Sequence, residues 1–215
     1  MRVDLVVTSL GLVSPVGEGV VASAAAQRAG LAKPKPLPGV TVELPFALSD
    51  EEMAEPLVVS VVGHRVTPLT DGFTQTGLWL RLAVAATRDL LGYGRLPAAA
   101  DPFWDRTLMY GVLPNVDSPR FGWPADEVLE IVESRYLRLL AELAPIAGRI
   151  ERARVRWAHA GAASALMDVA SLVQGGSVDR VCLASVDSYC DFPTVKTLMD
   201  DGRLKSPDVQ TGMQP

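Results

Sequence analysis

Cysteine and histidine are scarce in this chain: Cys182, Cys190, His64 and His159 are all that its 215 residues contain. Two cysteines are too few for the disulfide framework of a small secreted domain. Without clustered histidines they do not make a zinc site either, so neither a metal nor a cofactor is expected. Excess positive charge is also missing. Twenty Lys and Arg stand against 25 Asp and Glu, for a net charge of −5, and the basic residues are scattered. Nucleic-acid binding needs a clustered positive face that releases counterions, so no nucleic-acid partner is expected. No hydrophobic run reaches the roughly 18 residues of a membrane span. Asp4, Pro15, Gly17 and Glu18 interrupt the apolar start, which argues against a leader peptide. A reducing, cytoplasmic setting is the expectation.

Phosphate loops are absent too. Gly92-Tyr93-Gly94 and Gly175-Gly176 read as helix stops, because neither opens a helix at the required spacing. Asp200-Asp201 reads as a solvated turn, and Glu127, Glu130 and Glu133 as a solvated helix face. Trp79, Trp104, Trp123 and Trp157 share no period, so they read as core or interface packing.

What is present is a globular composition, 48% hydrophobic and 21% charged. A chain of this length buries roughly 70% of its unfolded surface. Val3 to Leu10 is short, valine-rich and almost continuously apolar, which predicts a strand buried on both faces. Gly11, Ser14, Pro15 and Gly17 then form a turn, and 19–29 reads as a helix stopped by Gly30. Residues 33–56, proline-rich and then acidic, read as a surface excursion within a single domain spanning 1–215. Leu57 to Val62 reads as a strand or extended segment.

The spacing of Leu78, Leu82, Ala85, Ala86 and Leu90, with Leu80, Val84 and Leu91 opposite, predicts a buried helix over 74–91, stopped by Gly92. Leu108 to Leu113 predicts a strand. Pro124 to Leu143 predicts an amphipathic helix with Val128, Ile131, Val132, Leu139, Leu140 and Leu143 inward. An extended piece over 154–157 follows. Next come a helix over 162–174, with Leu166, Val169, Ala170 and Val173 on one face, and a buried strand over 181–186. This alternation argues for an α/β fold: a layered, mainly parallel sheet with helices on both faces.

Two segments go further. Val6-Val7-Thr8-Ser9-Leu10-Gly11-Leu12-Val13-Ser14-Pro15-Val16-Gly17 resembles the opening of β-ketoacyl synthases, a strand and tight turn of the form V-T-G-x-G-x-V-S-P-x-G. Ser9 stands where that pattern has its first glycine. The stretch from Trp157 to Asp191 is similar to the family's central segment, and Val178-Asp179-Arg180-Val181-Cys182-Leu183-Ala184-Ser185-Val186-Asp187-Ser188 matches its closing strand. Gly202-Arg203-Leu204 resembles the loop that follows. The stretch between 33 and 70 matches poorly.

The resemblance implies the N-terminal half of a thiolase-like fold, whose second half and next core strand are not in this sequence. It also implies a nucleophilic cysteine at the turn into the central helix, where the helix N-terminus stabilises a thiolate. Counting back from Asp179 puts His159 at that position, and no cysteine is near it. His159 is the candidate site residue. Imidazole can act as a nucleophile, and it can equally be a polar side chain filling a vacated pocket. Cys190, beside Asp191, and Cys182, inside an apolar run, read as structural; His64 reads as surface or core-edge.

The expectation is a degenerate, non-condensing partner subunit in fatty-acid or polyketide-type assembly. An active acyltransferase or 3-oxoacyl-carrier synthase completed by further residues is an alternative, and an acyl-chain or carrier-binding module a third. The implied partners are a second copy or a ketosynthase-like subunit, with an acyl carrier protein.

Overall fold

A computed structural model of the chain describes residues 5–44, 57–115, 120–121, 125–146, 153–157, 161–206 and 209–215. In chain order the elements are β1 (Val13–Ser14), β2 (Gly17–Glu18), α1 (Val20–Arg28), β3 (Lys35–Leu44), β4 (Leu57–Gly63) and α2 (Gln75–Tyr93). A short 3-10 turn (Pro102–Arg106) leads into β5 (Thr107–Leu113), α3 (Ala125–Leu143), β6 (Ala153–Trp157), α4 (Gly161–Gln174), β7 (Arg180–Ser185) and α5 (Phe192–Asp200). The chain divides into two compact units, Met1–Ala32 with Val66–Ser188 and Lys33–Arg65 with Tyr189–Pro215.

The first unit is an α/β layer built on a three-stranded sheet in the order β6-β5-β7, parallel throughout. Its central strand, Thr-Leu-Met-Tyr-Gly-Val-Leu, carries no charge and is buried along its whole length. Side-chain alternation sends Met109 and Leu113 to one face, where they pack with Leu78, Trp79 and Val84 of α2 and with Val132, Leu137 and Leu140 of α3. Leu108, Tyr110 and Val112 go to the other face, against Ala165 of α4 and Val178. Helices therefore cover both faces. Gly111 permits the closest approach, since a Cβ there would lie 3.0 Å from Leu137 Cδ2.

The second unit holds the antiparallel ribbon of β3 and β4. Leu37, Val40 and Val61 pack with Val195, Leu198 and Leu204. Proline at 36 is tolerated because a two-stranded ribbon consists only of edges. The register shifts between Pro36 and Thr41, where Gly39 takes a φ of 71°. The stretch 33–44, read from the sequence as part of a surface excursion, thus contains a strand.

Several expectations change. Residues 5–10 form no strand, and Val6 and Val7 are 79% and 70% exposed. An extended run becomes a sheet strand only where a neighbouring strand satisfies its backbone groups, and none does so among the described residues. Gly92 does not stop α2, which continues to Tyr93 and caps at Gly94. In α3 the buried stripe runs through Val132, Tyr136, Leu137, Leu140 and Ala141 and on to Ala144 just past its end, whereas Leu139 and Leu143 face outward. In α4 the buried positions are Ala165 and Val169, with Leu172 and Val173 packed beside them, and Leu166 is exposed. Val132 and Leu140 in α3 and Val169 and Val173 in α4 do face inward as expected, so the stripe is shifted in part and only its outer leucines fall outside it. Sequence reading missed helix α5, although Val195, Leu198 and Met199 carry an i, i+3, i+4 apolar spacing. Its second signal is Asp191, whose Oδ1 accepts the Thr194 N–H, followed by Pro193 in the first turn.

Candidate functional site

In an open parallel sheet the loops beyond the carboxyl ends of the strands converge on one edge, where such folds hold ligands. Here that edge collects Pro114 and Asn115 after β5, the end of β6 with the start of α4 at Gly161, and Val186, Asp187 and Ser188 after β7. His159 falls between Trp157 and Gly161 in the sequence and lies outside the described residues.

Arg120 is the charged group that ties two of these loops together. Its side chain is only 7% exposed. Its Nη2 donates to Asp187 Oδ1 at 2.8 Å and Oδ2 at 3.0 Å, and Nη1 donates to Ser188 O at 3.4 Å. The Ser188 N–H donates to the same Asp187 Oδ1 at 2.7 Å. The guanidinium carbon stands 4.4 Å above the Phe121 ring centroid, and Phe121 meets Trp79 of α2 edge-on at 5.4 Å. A buried guanidinium needs this combination of paired charge and aromatic face to offset its lost hydration. The cluster acts as a clamp: it fixes the loop after β5 against the loop after β7. Sequence reading missed Arg120, a lone basic residue in a segment without periodicity. Asp187 and Ser188 it placed only as the end of a strand motif.

The thiols lie elsewhere. Cys182 is inside β7, packed in the core between sheet and helices. Burial pushes its thiol up to about 11 from an ordinary 9.0, so it stays protonated at neutral pH. Cys190 belongs to the second unit, half-buried beside the Leu37–Val195 cluster. His64 is also in that unit, its backbone N–H donating to Pro215 O. Asp200 pairs with Lys196 at the exposed end of α5, and Trp79 and Trp104 are core residues. Among the described residues, no group of three His, Cys, Asp or Glu side chains is placed to hold a metal ion, and no helix is long and apolar enough to cross a membrane.

A second polar contact fastens α4 to the sheet: the Tyr110 hydroxyl donates to Asp168 Oδ2 at 2.6 Å. The short distance is that of a charge-assisted bond. It sets the helix against β5 while the opposite side of α4 exposes Leu166 and Met167, the latter at 75%.

No protein-family model matches the chain, and no curated protein matches it in sequence.

Proposed function

We propose that this chain is a ketosynthase-like subunit, the N-terminal half of a thiolase-like fold, that does not itself condense acyl groups and serves as a partner in fatty-acid or polyketide-type assembly. The observation that carries the reading is the position of its two thiols. The strand–turn–helix passage from β6 to α4, where the resemblance calls for a nucleophilic cysteine, has none in its sequence. Cys182 is sealed in the core and held protonated, and Cys190 sits in the other compact unit. A thioester-forming enzyme needs an accessible thiolate with a lowered pKa, the opposite of Cys182.

The order of elements supports the family part of the reading. β5, α3, β6, α4 and β7 alternate along a parallel sheet with helices on both faces. The partner part draws support from α4, whose outward side shows Leu166 and Met167 to solvent. Apolar side chains grouped on one helix face favour coverage by another surface.

The test is a condensation assay with carrier-bound acyl and malonyl thioesters. The chain alone is expected to yield no 3-oxoacyl product. Added to an active ketosynthase, it is expected to change the rate or the product chain length. Condensation by the chain alone, abolished by His159→Ala, would establish the active-enzyme alternative.

A further inference from the structure

Among its described residues, the first unit contains both a strand-like segment without a sheet and a sheet edge without a strand. Residues 5–11 make no backbone hydrogen bond to any described residue. They read Leu-Val-Val-Thr-Ser-Leu-Gly, without charge or proline, and Leu5, Val6, Val7 and Leu10 are all exposed. That composition strongly favours strand pairing. The segment is nevertheless anchored at its C-terminal end. Ser9 Oγ donates to Leu90 O at 3.0 Å, and the Leu12 N–H donates to Asp89 Oδ2 at 3.0 Å. Gly11 lies so close to α2 that a Cβ would come 2.1 Å from Ala86 O.

The complementary feature is β7. Among the described residues it pairs on one side only, with β5. Val186 N–H donates to Val112 O at the end of that ladder. Counting back by twos turns residues 184 and 182 toward β5 and leaves the amides of Val181, Leu183 and Ser185 on the open edge. An edge of this length without an inward charge, bulge or proline is a template for a further strand.

We propose that two copies of this chain exchange strands: the segment 5–10 of each copy pairs along the β7 edge of the other. The occupant follows from the chain itself, which carries both the donor and the acceptor. Reciprocal exchange satisfies both at once about a two-fold axis, so the interface closes as a dimer. Held on α2 through Ser9, Gly11 and Leu12, the segment projects its apolar residues with few backbone torsions left to order. The pairing holds whether or not the subunit condenses.

The test combines native mass spectrometry with hydrogen–deuterium exchange on the full chain at rising micromolar concentration. A dimer is expected, with protection rising together at the amides of Leu5 and Val7, which the proposed pairing turns toward the partner's β7, and at Val181 and Leu183. Val7→Pro removes one ladder donor at an exposed position. It is expected to weaken the homodimer by about tenfold or more, with an unchanged monomer circular dichroism spectrum. Because each copy donates one segment, a mixed dimer of wild type and Val7→Pro is expected to show intermediate affinity. Val6→Glu provides a second exposed variant with the same expected loss. A chain that stays monomeric, a dimer in which these amides exchange freely, or equal dimerisation by both variants would overturn the proposal. So would protection of β7 by a different protein that binds equally well to Val7→Pro.

Discussion

Arg120 and Asp187 form an ion pair in which the two partners are unequally buried: 7% of the arginine side chain is exposed against 39% of the aspartate. The asymmetry predicts unequal mutational costs. Asp187→Ala removes the carboxylate that neutralises a buried guanidinium and is expected to destabilise the first unit by about 3 kcal/mol. Arg120→Met removes the buried charge, while the part-exposed Asp187 keeps the Ser188 N–H, and is expected to cost about 1 kcal/mol. Urea unfolding of both variants checks the order. A larger loss for Arg120→Met would show that the clamp acts through packing on Phe121.

Asp89 gathers the start of the chain onto α2. Its Oδ2 accepts the Leu12 N–H at 3.0 Å and the Val20 N–H at 2.8 Å, the latter in the first turn of α1. A carboxylate at that helix terminus is also favoured by the helix dipole. Asp89→Ala is expected to lose about 2 kcal/mol, and to speed amide exchange at Leu12 and Val20 more than in β5. Uniform acceleration across both elements would contradict this local role.

Two glycines predict opposite signs. Gly11→Ala places a methyl against Ala86 O and Leu90 N and is expected to cost about 3 kcal/mol through forced backbone movement. Gly92 lies within α2, and a Cβ there meets nothing within 4 Å. Gly92→Ala is expected to stabilise by about 0.5–1 kcal/mol. Thermal melts of the pair report both signs in one experiment.

Cys182 sets a basic limit on stability. Its folded thiol titrates at about 11 and its unfolded thiol near 9.0, so between those values the folded state holds the extra proton. Its contribution is fully present below pH 9 and is lost as pH rises toward 11, by about 2–3 kcal/mol in all. Burial raises the Tyr136 hydroxyl as well, which adds a loss of the same sign above pH 10. Cys182→Ala is expected to flatten the decline between pH 9 and 11 in denaturant titrations. An unchanged slope would mean the thiol ionises without unfolding.

The alternation of strands and helices was legible because β5, β6, β7, α2, α3 and α4 each carry an uninterrupted apolar period. Helix faces were less legible: Leu139, Leu143 and Leu166 are leucines on the wrong side of the stripe, and only packing against the sheet decides between neighbouring rows. Within the valine-rich start, residues 5–10 misled because composition reports the preference to pair and not the presence of a neighbour, and none pairs with them among the described residues. Of the candidate site, Asp187 and Ser188 were visible as a strand end. Arg120 was not, since its role arises from a loop meeting another strand's end 67 residues away in sequence.

The central claim is that this chain forms no acyl-enzyme. Intact-mass spectrometry of the purified chain after incubation with an acyl-carrier thioester tests it most directly. The expected result is an unmodified mass of 22.9 kDa, before and after incubation, in wild type and His159→Ala alike. A stoichiometric acyl adduct on the wild type that disappears in His159→Ala would contradict the account and make His159 the nucleophile.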